Sequence, residues 1–408
     1  MTEASADTRA GRVEFTGSRQ ELLGIILRGY LLMIPTIGLY RFWQATWKRR
    51  FYWQNTVIDG EPLEYTGTAG QLLLGFFFAL AFFLPIYVGL FVLSMQEVDY
   101  LLLGYVAVAA IIWFLAGYAI YRARDFRLSR TLWRGIRFDL RGNAWAYALR
   151  RFLWTIPMLV SLGLVYPWMG SSLWRYRWRH TWYGDRRFEI AGNWRVFAGP
   201  YYAAYAMNVL AVAATAGWIV TARDYAPVGG VPVPGPIGLL FCLGCLILFA
   251  FTLAWYRTRI ASRMLSTVSL GEATLTIRIP TVALFGQFVT YVLAVIALLI
   301  LLALSTIIAI GSLYAAAAAG GQTPDAEALV SMFQSGTLNV ALLIGLYLVV
   351  LGAFGLLAEI ILSYGWWKLL ALGATISNAD SLRSVRAAPE DRTLIGQGLA
   401  DALNVGAY

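Results

Sequence analysis

Charge is what this chain has least of. Of its 408 residues, 13% are charged and 59% hydrophobic, whereas an ordinary soluble domain carries roughly 25% charged. A soluble fold of this length has no interior large enough to hide so much apolar surface. Histidine occurs once, as His180, and cysteine twice, as Cys242 and Cys245 inside an apolar run. One imidazole and two thiols leave a metal centre short of ligands, so no metal and no cofactor is expected, and the Cys-x-x-Cys pair reads as small packing residues. Gly-x-Ser-x-Gly, His-Glu-x-x-His and the phosphate loop are all missing, which argues against an enzyme. The first twenty residues hold no apolar core, so no cleaved leader is expected.

What the chain has in quantity is apolar length. Leu72 to Ser94, Tyr100 to Tyr121, Pro200 to Val220, Ile237 to Tyr256, Leu284 to Tyr314 and Thr337 to Trp367 each reach the ~20 residues needed to cross a bilayer. The net charge of +10 sits in the short connections between these runs, interleaved with aromatics. That distribution sets orientation in a membrane and excludes a nucleic-acid-binding domain. Arg122 to Arg151 carries nine arginines against two aspartates, and Trp174 to Arg195 carries six against Asp185 and Glu189. Both connectors are expected on the cytoplasmic side, as is the stretch after Tyr256 with Arg257, Arg259 and Arg263.

Most of Leu27 to Gly67 is written a second time from Leu149 to Gly192. Leu27 to Pro35 matches Leu149 to Pro157 at 122 positions, and after three extra residues Thr36-Ile37-Gly38-Leu39 matches Ser161-Leu162-Gly163-Leu164 at 125. Trp43 then faces Trp168, Trp53 faces Trp178 and Thr56 faces Thr181. Cytoplasmic connectors on both sides require Leu149 to Trp168 to enter and leave by one face, and Glu21 to Trp43 by analogy, each bent near its proline. The expected fold is an all-α polytopic membrane protein with six spanning helices in three hairpins and two re-entrant hairpins at 21–43 and 149–168. Eight simple spans are the alternative. Short cytoplasmic strands lie between the helices, at Val13 to Gly17, Pro62 to Gly67, Ile136 to Leu140 and Thr274 to Pro280. The chain then divides into a mobile 1–12, repeats at 13–121 and 122–256, a divergent third at 257–368, and a cytoplasmic tail at 369–408.

Phe15-Thr16-Gly17 with Glu21-Leu22-Leu23, Thr36 to Trp43, Asn55-Thr56, Tyr65-Thr66-Gly67-Thr68 and Gly398 to Gly406 together resemble the YjgN family. These are bacterial inner-membrane proteins grouped under a domain of unknown function. The resemblance covers nearly the whole chain and implies a multi-pass fold in the inner membrane, with no catalytic residues to carry over. Tyr364-Gly365-Trp366-Trp367-Lys368 departs from the pattern, keeping aromatics without most of the arginines.

Ionisable groups at membrane depth are costly and face a bundle interior or water. Arg28, Arg150, Arg151 and Glu359 are the candidates for an intramembrane polar site, with Arg28 and Arg150 each seven residues before a proline. Snorkelling to the headgroups is the bland alternative for the arginines. Trp43, Arg49, Arg50, Trp168, Arg175, Arg177, Arg179 and His180 combine interfacial aromatics with cations, which suits anionic phospholipids as partners. Two functions stay open: a transporter or lipid-translocating protein, and a non-transporting scaffold or envelope-assembly factor with a cytoplasmic protein partner. A polar cavity lined by Arg28, Arg150 or Glu359 favours the first. A packed, dry interior with an apolar patch on the cytoplasmic strands favours the second.

Overall fold

A computed structural model describes residues 11–95, 101–221, 225–228, 231–319 and 337–388. Of the expectations above, the first ten residues and the terminal motif from Gly398 to Gly406 lie outside them. Six helices among the described residues are long and apolar enough to cross a membrane, which supports a multi-pass membrane protein: Ala69–Ser94, Leu102–Ser129, Trp194–Trp218, Pro236–Leu265, Thr281–Ile308 and Ile344–Leu372. The chain forms two compact units, residues 1–281 with 369–408, and residues 282–368.

In the first unit the helices are α1 (Arg19–Met33), α2 (Arg41–Gln54), α3 (Ala69–Ser94), α4 (Leu101–Ser129), α5 (Ala144–Val160), α6 (Tyr166–Arg179), α7 (Trp194–Thr221) and α8 (Pro236–Leu265). Several run past the apolar stretches that announce them. α4 continues eight residues beyond Tyr121 through Arg122 to Ser129, because arginines form helix readily and an apolar window stops at the first charge. Local caps fix the starts. The Ser18 hydroxyl accepts from the Glu21 amide at 3.2 Å, and the Asn143 side chain accepts from the Trp145 amide at 2.8 Å, each satisfying a donor that a helix leaves unpaired.

The strands are not isolated pieces, and here the all-α expectation is corrected. β1 (Gly11–Phe15), β2 (Thr56–Ile58), β3 (Glu61–Tyr65), β4 (Thr131–Trp133), β5 (Ile136–Leu140), β6 (Thr181–Tyr183), β7 (Arg186–Arg187) and β8 (Glu189–Ile190) join strands from the later chain in one sheet of 11 strands. A separate hairpin, β9 (Tyr225–Val228) with β10 (Val231–Pro234), joins α7 to α8. The remaining members of the large sheet are β11 (Val268–Leu270), β12 (Ala273–Ile277) and β13 (Ala374–Ser377). Its order is β7-β6-β5-β4-β3-β2-β1-β13-β12-β11-β8. The two end strands, β7 and β8, are separated in the chain by Phe188 alone, whose amide donates to Thr181 O at 3.1 Å. The ribbon therefore closes on itself as a barrel-like ring, which removes its edges. Tight turns build it: Asp59-Gly60 (φ 50° and 82°) and Arg134-Gly135 (φ 52° and 72°) have the two left-handed residues of a two-residue hairpin loop.

The strands expected at Val13 to Gly17, Pro62 to Gly67, Ile136 to Leu140 and Thr274 to Pro280 are found at Gly11–Phe15, Glu61–Tyr65, Ile136–Leu140 and Ala273–Ile277. The closure of the ring is invisible to the alternation within them, because Gly11 pairs with Ile376. Two boundaries move as a result. Gly11 and Arg12 belong to β1 rather than to a mobile end, and Ala374–Ser377 belongs to the sheet rather than to a tail.

Side chains fill the ring. Trp133, Tyr183, Leu270, Ala273, Leu382 and Val385 form one buried cluster, with Ile58, Leu63, Phe138, Phe188 and Ile376 packed against it. Leu382 and Val385 come from the stretch after β13, which crosses to the β6–β7 turn. There Asp185 N donates to Arg386 O at 3.0 Å, and Arg386 N donates to the Asp185 carboxylate at 3.1 Å.

The ring also fixes where the helices stand. α1 leaves β1 and α2 runs into β2, while α5 leaves β5 and α6 runs into β6, so both ends of each helical hairpin rest on the same sheet. At the junctions a threonine recurs. The hydroxyls of Thr56, Thr131 and Thr181 each donate to the carbonyl four residues back, at 2.7, 2.8 and 2.9 Å, so the last helical turn is capped as the strand begins.

In the second unit, α9 (Thr281–Ala319) is followed by α10 (Thr337–Leu357), a π-helical turn at Ala358–Ser363 that includes Glu359, and α11 (Tyr364–Leu372). Gly365 leaves room for the Gln287 amide, which a Cβ there would meet at 2.4 Å.

Candidate functional site

The two short hairpins turn alike. Ile37 and Gly38 have φ 49° and 80°, and Leu162 and Gly163 have φ 50° and 93°, a left-handed pair in which only the glycine is at ease. Thr36 Oγ1 accepts from the Tyr40 amide at 3.1 Å, and Ser161 Oγ accepts from the Val165 amide at 3.3 Å. The caps Ser18 and Asn143 are 125 positions apart, as are Ile37 and Leu162. Cap to turn is thus the same length in both hairpins, and the three-residue insertion drawn from the letters is corrected. At this spacing Arg28 stands where the second hairpin has Leu153, not Arg150. The prolines are not equivalent either: Pro35 lies in the turn, whereas Pro157 lies inside α5.

The first hairpin holds a groove of about 540 Å³. Glu21, Gly24, Ile25 and Arg28 line it from α1, at the three- and four-residue spacing of one helix face. Tyr40, Gln44, Trp47, Arg50 and Gln54 line the opposite wall. The helices meet just beside it. Leu22 and Ile26 are buried, and Gly29 lies where a Cβ would come within 2.4 Å of Gln44 Nε2. That amide donates to Ile26 O at 3.1 Å, so Gln44 ties α2 to α1 at the groove floor. Arg28 is exposed to the groove and makes no hydrogen bond or ion pair among the described residues. Arg50 stacks over Trp47, 5.4 Å from its centroid, and donates to Gly67 O at 3.4 Å. Two guanidinium forks against the single Glu21 carboxylate, with neutral amides and a tryptophan at the rim, suit a phosphate group carried on a polar, hydroxyl-bearing neck.

The other candidate residues go elsewhere. Arg49 donates to Tyr65 Oη at 3.0 Å, toward β3, and Trp43 stacks on Tyr40 at 6.0 Å. Arg150 lies over the Tyr176 ring at 4.9 Å, and Arg151 over Trp113 at 4.2 Å, with a hydrogen bond to Trp113 O at 3.2 Å. Trp168 stacks on Trp194 at 4.5 Å. His180 shares its Nδ1 with Tyr176 O at 2.7 Å. Arg177 lies over Trp174 at 5.8 Å, Arg175 is half-buried and Arg179 is exposed. Glu359 is in the second compact unit. The structure thus brings Arg28 to Arg50, and Arg150 to Tyr176 and His180, but does not put Arg28 and Arg150 in equivalent places.

Sequence reasoning missed Gln44, a buried amide in an aromatic and basic helix whose signal was the facing Gly29. It also missed Tyr201, Tyr202 and Tyr205 on α7. Their hydroxyls donate to Gly163 O, Leu164 O and Leu162 O at 2.8, 2.9 and 3.0 Å, clamping the second turn. The spacing 201, 202, 205 was a visible helix-face signal. A second groove, of about 480 Å³ between α7 and α8, is apolar, lined by Ala204, Val209, Val212 and Leu253 among others.

The chain belongs to a bacterial protein family of unknown function, DUF898, whose family model matches residues 10–402. This is the family to which the YjgN-like motifs point. No curated protein and no solved structure matches the chain.

Proposed function

We propose that this member of the DUF898 family is a lipid-translocating protein of the bacterial inner membrane, with its ring of strands and its C-terminus on the cytoplasmic side. In this reading the two short hairpins re-enter. α1 and α2, with 15 and 14 residues, extend about 22 and 21 Å, short of the ~30 Å hydrocarbon core, and both are rooted in the same sheet. The repeated turn and cap spacing support an internal duplication. What carries the proposal is the groove of the first hairpin, where Arg28 and Arg50 offer guanidinium groups to the phosphate of an anionic phospholipid. Re-entrant backbone is tolerated where it lines a wet cavity, and interrupted helices around a binding site recur in transporters.

The test is reconstitution in proteoliposomes with a fluorescent phosphatidylglycerol reporter. Arg28→Gln with Arg50→Gln is expected to slow lipid exchange at least tenfold, each charged hydrogen bond being worth about 1.5–3 kcal/mol, with unchanged insertion. Equal exchange rates would remove the groove from the mechanism. Glu359, on its π-helical turn, is the candidate coupling carboxylate, and unchanged flux in Glu359→Gln would dismiss it. The packed interior of the ring supports a second reading, a non-transporting scaffold with a cytoplasmic protein partner. In that case exchange is absent from the wild-type protein as well.

A further inference from the structure

Among the described residues, the foot of α4 carries four arginines around a single carboxylate. Arg122, Arg124, Arg127 and Arg130 fall within nine residues that contain one carboxylate, Asp125. Asp125 is 1% exposed and takes Arg122 in an ion pair of 2.9 Å. Neither Arg124 nor Arg130 has a carboxylate partner among the described residues. Arg130 is 3% exposed, donates to neutral Gln71 and Ser129, and keeps a buried Nη2 with no acceptor. Burial pulls its guanidinium below the ordinary range, and the like charge of Arg137 adds to that.

Beside it the shortage becomes a site. Arg124 lies over the Trp178 ring at 4.8 Å, and its buried Nε has no acceptor. Arg177 comes from α6, between Tyr176 and Trp178, and its buried Nε has none either. Arg124 and Arg177 meet at this ring, since Trp178 follows Arg177 in α6, so two like charges share one small patch. Tyr121, one turn before Arg124 on the same face of α4, packs on Tyr176 at 5.8 Å. It is 1% exposed, and its hydroxyl lies against the backbone of Gly142 with no acceptor for its proton among the described residues. Among the described residues, two helices thus present three buried donors without acceptors over an aromatic floor. A buried polar group without a partner is expensive, and an unpaired buried charge more so.

We propose that Tyr121, Arg124 and Arg177 form an oxyanion site for a phosphate group, held between the feet of α4 and α6. Guanidinium forks match phosphate oxygens in pairs, and the tyrosine hydroxyl supplies a third donor. The phosphate belongs either to an anionic lipid headgroup or to a free phosphate ion. The site is on the second hairpin and stands independently of lipid passage through the first.

Purified protein in a neutral detergent is titrated with phosphatidylglycerol, phosphatidylcholine and inorganic phosphate, reading the melting temperature and the bound mass by native mass spectrometry. Phosphatidylglycerol is expected to bind and raise the melting temperature, and phosphatidylcholine to do neither. A matching shift with inorganic phosphate identifies a free anion as sufficient, while its absence assigns the site to lipid. Arg177→Gln weakens that binding at least tenfold, Tyr121→Phe weakens it severalfold, and Arg383→Gln, whose side chain pairs with Asp380 outside the site, leaves it unchanged. In anion-free detergent Arg177→Gln melts at the same temperature as wild type or higher, because it removes a charge that repels Arg124. A structural arginine would give the opposite sign. Failure of both phosphatidylglycerol and phosphate to bind, or equal binding by Arg177→Gln and wild type, overturns the proposal. Should Arg177→Gln fail to fold, Tyr121→Phe decides, and undiminished binding there overturns it equally.

Discussion

The first and second hairpins share a cap, a turn and the length between them, yet they are packed differently. In the second, three tyrosine hydroxyls from α7 hold the turn, while Arg151 and Thr155 of α5 lock onto Trp113 of α4. The apolar turn residues are exposed in both, Ile37 at 94% and Leu162 at 79%, but the first hairpin keeps a polar groove between its own helices. The same local instructions thus produced one hairpin fastened to its neighbours and one left with room inside. Two hairpins with matching caps and turns can thus differ in what they leave open, and the difference lies in the packing residues rather than in the shared motif.

Removing the clamp tests this difference most severely. Tyr201→Phe, Tyr202→Phe and Tyr205→Phe together delete three hydrogen bonds worth ~0.5–1.5 kcal/mol each, so the second hairpin should lose about 2–4 kcal/mol. Hydrogen exchange should show the amides near Leu162 opening while those near Ile37 stay unchanged. Equal opening at both turns would mean that the two hairpins move as one and that the contrast is empty.

Gly29→Ala probes the other side. A Cβ 2.4 Å from Gln44 Nε2 forces that side chain off Ile26 O and into the groove. Overpacking of this kind costs ~1–3 kcal/mol. The variant should melt lower and exchange phosphatidylglycerol more slowly in proteoliposomes, with the second hairpin unaffected.

What was legible in the sequence follows from how far each interaction reaches along it. The six apolar lengths were legible because a bilayer demands about twenty residues in a row, and Ile136 to Leu140 because alternation is local. Arg28 was legible as a charge in an apolar run, but its position in the duplication was not. Matching Leu-Arg to Leu-Arg set it against Arg150, whereas the caps at Ser18 and Asn143 count from the helix start and set it against Leu153. The ring was hidden because its strands are two to five residues long and their partners include Gly11 with Ile376. No window spans that distance. The tyrosine clamp was hidden for a related reason: tyrosine in an aromatic-rich chain gives no hint that its hydroxyl meets a carbonyl 38 positions away.

A finer test compares the turns directly. Gly38→Ala and Gly163→Ala both place a Cβ at positive φ, at a cost of about 1–2 kcal/mol. At Gly38 nothing lies within 4 Å of that Cβ, whereas at Gly163 the Tyr201 hydroxyl is 3.2 Å away. The second substitution should therefore cost more, by part of one hydrogen bond. In a Tyr201→Phe background the two costs should converge, and a difference that persists there would show that the clamp is not its source.

The smallest effect concerns the footing of the hairpins and is read from pH. Tyr183, on the strand that α6 enters, stands 125 positions after Ile58, on the strand that α2 enters, so the second hairpin's strand carries an ionisable core residue where the first carries isoleucine. Burial pushes the Tyr183 hydroxyl from its ordinary value near 10 up to about 12, and it donates to Trp133 O at 3.0 Å. The folded protein thus holds this proton more tightly than the unfolded chain does. Its contribution to stability is whole below pH 10 and is lost as pH rises toward 12. At pH 10.5 the loss is under about 1 kcal/mol, small enough to measure in detergent before other tyrosines dominate. Alkali should therefore loosen the strands beneath α6 before those beneath α2, and Tyr183→Phe should erase that order. If Tyr183→Phe melts with the same alkaline slope as wild type, the asymmetry between the two hairpins does not extend into the ring.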